Sequence, residues 1–140
     1  MKQLIIVMGA PGSGKSTYGK LLKNYKVFDI DDYGYRETFT DAPKYDKVAL
    51  IYPFDLDVML DNVMVFFPDY RKYLVMLDDD EYFLHKRQII RGRYITIEET
   101  RKYRERCKGV YDRYKGHFRS NHVISSGKIS RRPDEKVEGI

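Results

Sequence analysis

The residues best suited to chemistry stand in one run near the N-terminus, Gly9-Ala10-Pro11-Gly12-Ser13-Gly14-Lys15-Ser16-Thr17, which fits G-x-x-x-x-G-K-[ST] at every fixed position. The spacing is that of a phosphate cradle. Its glycines let successive backbone N–H groups turn inward on an anion, and the helix opening near Lys15 adds the positive end of its dipole. Lys15 has the reach for the β- and γ-oxygens of a nucleoside triphosphate, the Ser16 hydroxyl is a ligand type for Mg²⁺, and Thr17 stands within range of the α-phosphate. The whole of Gly9–Thr17 is therefore the expected nucleotide-binding loop.

Phosphoryl transfer needs more than a cradle. It needs a metal, a group that orients the acceptor, and cations for the equatorial oxygens. Carboxylates come at Asp29, Asp31 and Asp32, the close of the stretch Lys26–Asp32, which reads as a second strand. Strand alternation puts Asp29 and Asp31 on one face. Three carboxylates beside a phosphate are costly unless they share a cation, which favours a metal and acceptor role for the cluster: Asp29 is the metal candidate with Ser16, Asp31 and Asp32 are the acceptor candidates, and the residues alone leave open which aspartate holds the metal. A solvated strand end or a helix cap is the plainer alternative. Asp78 ends the apolar run Leu74–Leu77 and has the form of a metal-binding aspartate, as does Asp55 after the third strand; both rank below the strand-two cluster. The cation candidates are Arg87 and Arg91, one helical turn apart, with Arg93 just past Gly92. Arg36 is placed to hold a phosphate of the acceptor. A solvated arginine face is the competing explanation. The histidines have no metal-ligand spacing.

Five short apolar runs must carry these groups: Leu4–Met8, Lys26–Asp32, Val48–Tyr52, Tyr73–Leu77 and His122–Ser125. Helical periodicity falls between them. Tyr18, Leu21, Leu22 and Tyr25 continue from the loop, residues 55–67 repeat at helical spacing up to Pro68, and Glu81–Arg91 breaks at Gly92. Asp78-Asp79-Asp80 precedes that last helix as a cap. Thr96-Ile97-Glu98-Glu99 has capping-box form and opens the longest helix, with an apolar stripe through Tyr103, Cys107, Val110, Tyr111, Tyr114 and Phe118. Tyr33–Lys47 reads as a short helix and a loop. Alternating strands and helices predict an α/β fold, a three-layer α/β/α sandwich around a five-stranded parallel sheet, with the ligand at the carboxyl ends of the strands.

Composition agrees with one domain over residues 1–140, with a lid region near 84–95 and a polar tail from about 128. No apolar run approaches the ~20 residues of a membrane span, no signal peptide is evident, and the single Cys107 suits a reducing compartment. A cytoplasmic location is expected. The net charge of +5 hides a split: residues 28–81 hold 5 Lys/Arg against 14 Asp/Glu, and residues 84–119 hold 12 against 4. Two mutually attracting faces, or an acidic metal and acceptor side opposite a phosphate-gripping side, both give such a pattern.

On these residues the chain resembles the small P-loop kinases of the nucleoside and nucleotide kinase superfamily, over roughly Met1–Gly127. Beyond the loop itself, Phe28-Asp29-Ile30-Asp31 is similar to the aspartate-x-aspartate of shikimate, gluconate and adenylylsulfate kinases. Arg87-x-x-x-Arg91-Gly92-Arg93, followed by a long Tyr-bearing helix, is similar to the lid of thymidylate and deoxynucleoside kinases. The resemblance implies ATP and Mg²⁺ as cofactors, Lys15, Asp31, Arg87 and Arg91 as catalytic groups, and an adenine contact at Gly127 and Lys128, with Arg87 also on the nucleotide. Asp31 would orient or deprotonate the acceptor. No Asp-Arg pair follows strand three, and the Arg-Glu-Pro run of thymidylate kinases is missing. Asp31-Asp32-Tyr33…Arg36 is also similar to polynucleotide 5′-hydroxyl kinases. A nucleoside or nucleotide acceptor is expected, a deoxynucleoside monophosphate first, with a nucleic-acid or modified-base hydroxyl as the alternative. The chain has no Asn-Lys-x-Asp to read guanine, which counts against a GTPase-like switch, and a non-catalytic nucleotide-binding module is the remaining reading.

Overall fold

Each strand forms where β-branched and aliphatic residues run without a breaker. In the computed structural model, which describes residues 1–52 and 56–125, the order is β1 (Gln3–Gly9), α1 (Lys15–Lys20), β2 (Lys26–Asp29), α2 (Ile30–Tyr33), α3 (Tyr35–Asp41), β3 (Lys47–Ile51), α4 (Leu56–Phe66), β4 (Arg71–Asp78), α5 (Glu81–Ile90), α6 (Ile97–Tyr114) and β5 (Ser120–Ser125). Single 3₁₀ turns at Ala42–Lys44 and Lys115–His117 precede β3 and β5. All five strands are parallel, in the order β2-β3-β1-β4-β5. The α/β class and the five-stranded parallel sheet stand as the sequence predicts.

The period-2 alternation of the central strands builds two cores. Leu4, Ile6, Met8, Leu50, Leu74 and Met76 point to one face, where α4 and α6 cover them with Met59, Val63, Cys107, Val110 and Tyr111. Ile5, Val7, Ala49, Ile51, Val75 and Leu77 point to the other, where Tyr18 of α1 is fully buried and Leu22 and Tyr25 follow. Leu4 to Met8 are all at 0 % exposure, so the strand that feeds the loop is buried on both sides.

Three expectations change. β2 ends at Asp29, and Ile30–Tyr33 turns into a helix for which the Asp29 carboxylate is the cap. Asp31 and Asp32 consequently sit in the first turn of α2, where the helix dipole favours them, not along a strand face. α1 is only six residues long and stops at Leu21, so Leu22 and Tyr25 reach the core from beyond it. In α6 the stripe holds at Cys107, Val110 and Tyr111, but Tyr103 is 38 % exposed. The cap assignments hold: Asp80 Oδ1 accepts from the Phe83 N–H at 2.9 Å, and Thr96 and Glu99 form a complete capping box. Asp55, Gly127, Lys128 and the tail from about 128 lie outside the described residues. Among the described residues no helix is long and apolar enough to cross a membrane.

Candidate active site

The loop leaves β1 at Gly9 and enters α1 at Lys15, at the carboxyl edge of the sheet. Pro11, Gly12, Gly14, Lys15 and Ser16 line a cleft of about 350 Å³ together with Asp29, Asp31, Asp32, Ile51, Arg91 and Arg93. Ala10 and Ser13 are buried in the body of the loop, and Thr17 is exposed on the first turn of α1, outside the lining. Gly12 has φ +86°, and a Cβ there would lie 2.7 Å from Gln88 Nε2 and 2.9 Å from the Leu84 carbonyl oxygen. Only glycine fits a backbone pressed against α5 in that conformation.

Lys15 Nζ donates to the carbonyl oxygens of Gly9 at 2.8 Å and Ala10 at 3.3 Å. The ammonium is thus held at the mouth of the loop by weak neutral acceptors that a phosphate oxygen can replace. Burial holds its pKa below the usual lysine value, and the nearby Asp31 and Asp29 carboxylates pull the other way. Cys107 lies in the same neighbourhood. Its thiol is pushed up to about 12, chiefly by burial, so it is a packing group rather than a nucleophile.

β3 separates β2 from β1 in the sheet, yet α1 crosses far enough for Ser16 Oγ to donate to Asp29 Oδ2 at 3.0 Å. Asp29 Oδ1 meanwhile accepts from the Asp31 N–H at 3.2 Å. A hydroxyl and a carboxylate side by side at the loop are hard oxygen ligands suited to Mg²⁺. Among the described residues no three His, Cys, Asp or Glu side chains converge on one point, so this pair would leave positions for water and phosphate oxygens, as Mg²⁺ prefers. Asp78 is differently engaged: Arg104 Nε and Nη2 donate to its two oxygens at 2.9 and 3.2 Å, a bidentate pair that fixes α6 to the end of β4.

The arginines of the expected lid region are placed by a helix stop. Gly92, at φ +79°, ends α5. Its N–H donates to the Ile89 carbonyl at 2.9 Å, and the Arg93 N–H donates to the Gln88 carbonyl at 3.0 Å, the two bonds of a Schellman turn. That reversal brings Arg91 and Arg93 into the cleft. Arg87 is outside the lining, and its guanidinium lies 5.5 Å from the centroid of the Phe83 ring. Arg36 is exposed on α3 and also outside the lining. Of the expected groups the structure brings together Pro11, Gly12, Gly14, Lys15, Ser16, Asp29, Asp31, Asp32, Arg91 and Arg93, and not Thr17, Arg36 or Arg87. Ile51 joins the lining, the buried Gln88 lies behind it against Gly12 and Arg93, and Asp78 is paired with Arg104. A glutamine inside a helix carries no signal of its own.

The fold is similar to that of small kinases of known structure. No protein-family model matches the chain, and no curated protein matches it in sequence. Solved structures do. A deoxyadenosine kinase from M. mycoides, solved with dCMP and dCDP, superposes with a TM-score of 0.65 at 14% identity, over 99% of this chain and 100% of that one. A gluconokinase from Sinorhizobium meliloti 1021 gives 0.64 at 16% identity, over 94% and 89%. A shikimate kinase from Acinetobacter baumannii with shikimate gives 0.58 at 12% identity, over 99% and 94%. At these identities the similarity establishes the fold.

Proposed function

We propose that the protein is an ATP-dependent kinase that transfers the γ-phosphate to a hydroxyl of a nucleoside-type acceptor. The observation that carries this reading is the single cleft that joins the loop, Lys15, the Ser16–Asp29 pair, Asp31 and the two lid arginines. The backbone amides of the loop and Lys15 bind the β- and γ-phosphates. Ser16 and Asp29 would hold Mg²⁺, which would supply neutralisation of the phosphate charge. Arg91 and Arg93 approach the same oxygens from the lid, where planar guanidinium groups match phosphate geometry. Asp31 orients the acceptor hydroxyl and accepts its proton as the oxygen bonds to the γ-phosphorus and ADP leaves.

The charge of the cleft bears on the acceptor. Its acceptor side presents Asp31 and Asp32, and Arg36 does not line it. A neutral hydroxyl is tolerated there better than a dianionic phosphate, which favours a nucleoside over the deoxynucleoside monophosphate that the sequence alone favours. A polynucleotide 5′-hydroxyl has the same chemistry. Tyr94, 96 % exposed beside Arg93 at the tip of the lid, gives that second reading a surface on which a base can stack.

Label transfer from γ-labelled ATP with Mg²⁺ tests the assignment. The acceptors are deoxynucleosides, deoxynucleoside monophosphates, and 5′-hydroxyl or hydroxymethyl-base DNA. Label on a hydroxyl acceptor is expected. Label confined to monophosphates would contradict the charge argument while leaving the kinase reading intact. Tight ATP binding with label on none of them would favour a non-catalytic module.

A further inference from the structure

Gln88 is at 0 % exposure on α5, and none of the roles assigned above uses it. A primary amide shut away from water needs partners for both its donor and its acceptor. Gln88 has half of them. Its Oε1 accepts from Arg93 Nη1 at 3.4 Å, and its main-chain carbonyl accepts from the Arg91 and Arg93 N–H groups at 3.1 and 3.0 Å. Among the described residues its Nε2 has no hydrogen-bond partner, and it is pressed against the crest of the phosphate loop at Gly12. One side chain therefore touches the cradle on one side and a lid arginine on the other. An apolar side chain of the same length would fill the space without stranding a donor, so packing alone does not account for the amide.

We propose that Gln88 is a positioning residue that ties Arg93 of the lid to the Gly12 crest of the phosphate loop, holding the guanidinium over the phosphates of a bound nucleotide. The inference rests on the reading of the cleft as a nucleotide site. Arg93 is exposed and long, and an unrestrained arginine must be ordered when the phosphate arrives. The Schellman turn fixes its backbone, and the Gln88 carbonyl oxygens, main-chain and side-chain, fix the direction in which it leaves the helix. Ordering before the ligand binds appears as affinity.

The test is a double-mutant cycle on ATP binding, with Gln88→Met, Arg93→Ala and the pair. Calorimetric affinity, KM for ATP, kcat and Tm are read for each. Gln88→Met keeps length and removes the amide. It is expected to leave Tm unchanged or higher, because a stranded donor is removed, and to weaken ATP by roughly fivefold, the scale of one hydrogen bond, seen in KM more than in kcat. In the Arg93→Ala background the same change is expected to cost less than twofold. Gln88→Asn, which keeps a buried amide but withdraws it from Arg93, is expected to weaken ATP to a similar extent. The proposal is overturned if both Gln88 variants bind ATP as the wild type does, or if the Gln88 and Arg93 losses multiply. Wild-type protein that binds no ATP would instead remove the nucleotide site itself, a result distinct from wild-type affinity that the variants leave untouched.

Discussion

In the proposed reaction Asp31 has the heaviest chemical demand of any single residue. It lies in the first turn of α2, its N–H held by Asp29 Oδ1, while Asp29 is shared with Ser16. Under that proposal the two carboxylates would do different work, Asp29 toward the metal and Asp31 toward the acceptor. Asp31→Asn preserves size and hydrogen-bonding reach but cannot accept the acceptor's proton. Turnover is expected to fall by roughly 10²-fold or more, the scale of general-base catalysis, with KM for ATP within about twofold. Steady-state kinetics on the labelled acceptor checks this, and a larger loss for Asp29→Asn at saturating Mg²⁺ would transfer the role of base to Asp29. The residue types were legible in the sequence and their local geometry was not. Asp-x-Asp-Asp reads equally as a strand end and as a cap followed by an acidic first turn, and only the pairing of β2 with β3 shows where the strand stops.

Among the elements, α5 with its stop decides which arginines reach the cleft. The helical period makes Arg87 and Arg91 neighbours on one face, and that much is visible from spacing alone. The Schellman turn at Gly92 then replaces Arg87 with Arg93 in the cleft, which depends on backbone conformation beyond the helix. A Cβ at Gly92 would meet nothing within 4 Å among the described residues, so the cost of Gly92→Ala is that of the left-handed conformation at φ +79°, about 1 kcal/mol. A fall in Tm of about 2–4 °C is expected, accompanied by a higher KM for ATP as Arg91 and Arg93 lose their fixed exit from the helix. A fall in Tm with KM unchanged would mean that the turn serves stability only. The overestimated length of α1 has a similar origin. Leu22 and Tyr25 continue an apolar pattern that the core uses whether or not the helix goes on.

Over the whole molecule, the charge split between residues 28–81 and 84–119 is expressed in part as mutually attracting faces. Asp78 and Glu81 meet Arg104 and Arg101 in two arginine–carboxylate pairs, which dock the basic α6 on the acidic end of β4 and the start of α5. Asp29, Asp31 and Asp32 face Arg91 and Arg93 across the cleft, where a phosphate and a metal would complete the neutralisation. The sequence discloses the loop, the class of fold and the acidic and basic partners. It does not disclose which carboxylate takes which arginine, because the pairing depends on the strand order β2-β3-β1-β4-β5. Whether this one cleft moves the γ-phosphate is tested most directly by comparing label transfer by wild-type and Lys15→Ala protein of equal Tm. Mg²⁺-dependent transfer by the wild type is expected, with its loss, by roughly 10²-fold or more, in the variant. Transfer at near wild-type rate by Lys15→Ala would rule out phosphoryl transfer through Lys15 in this cleft.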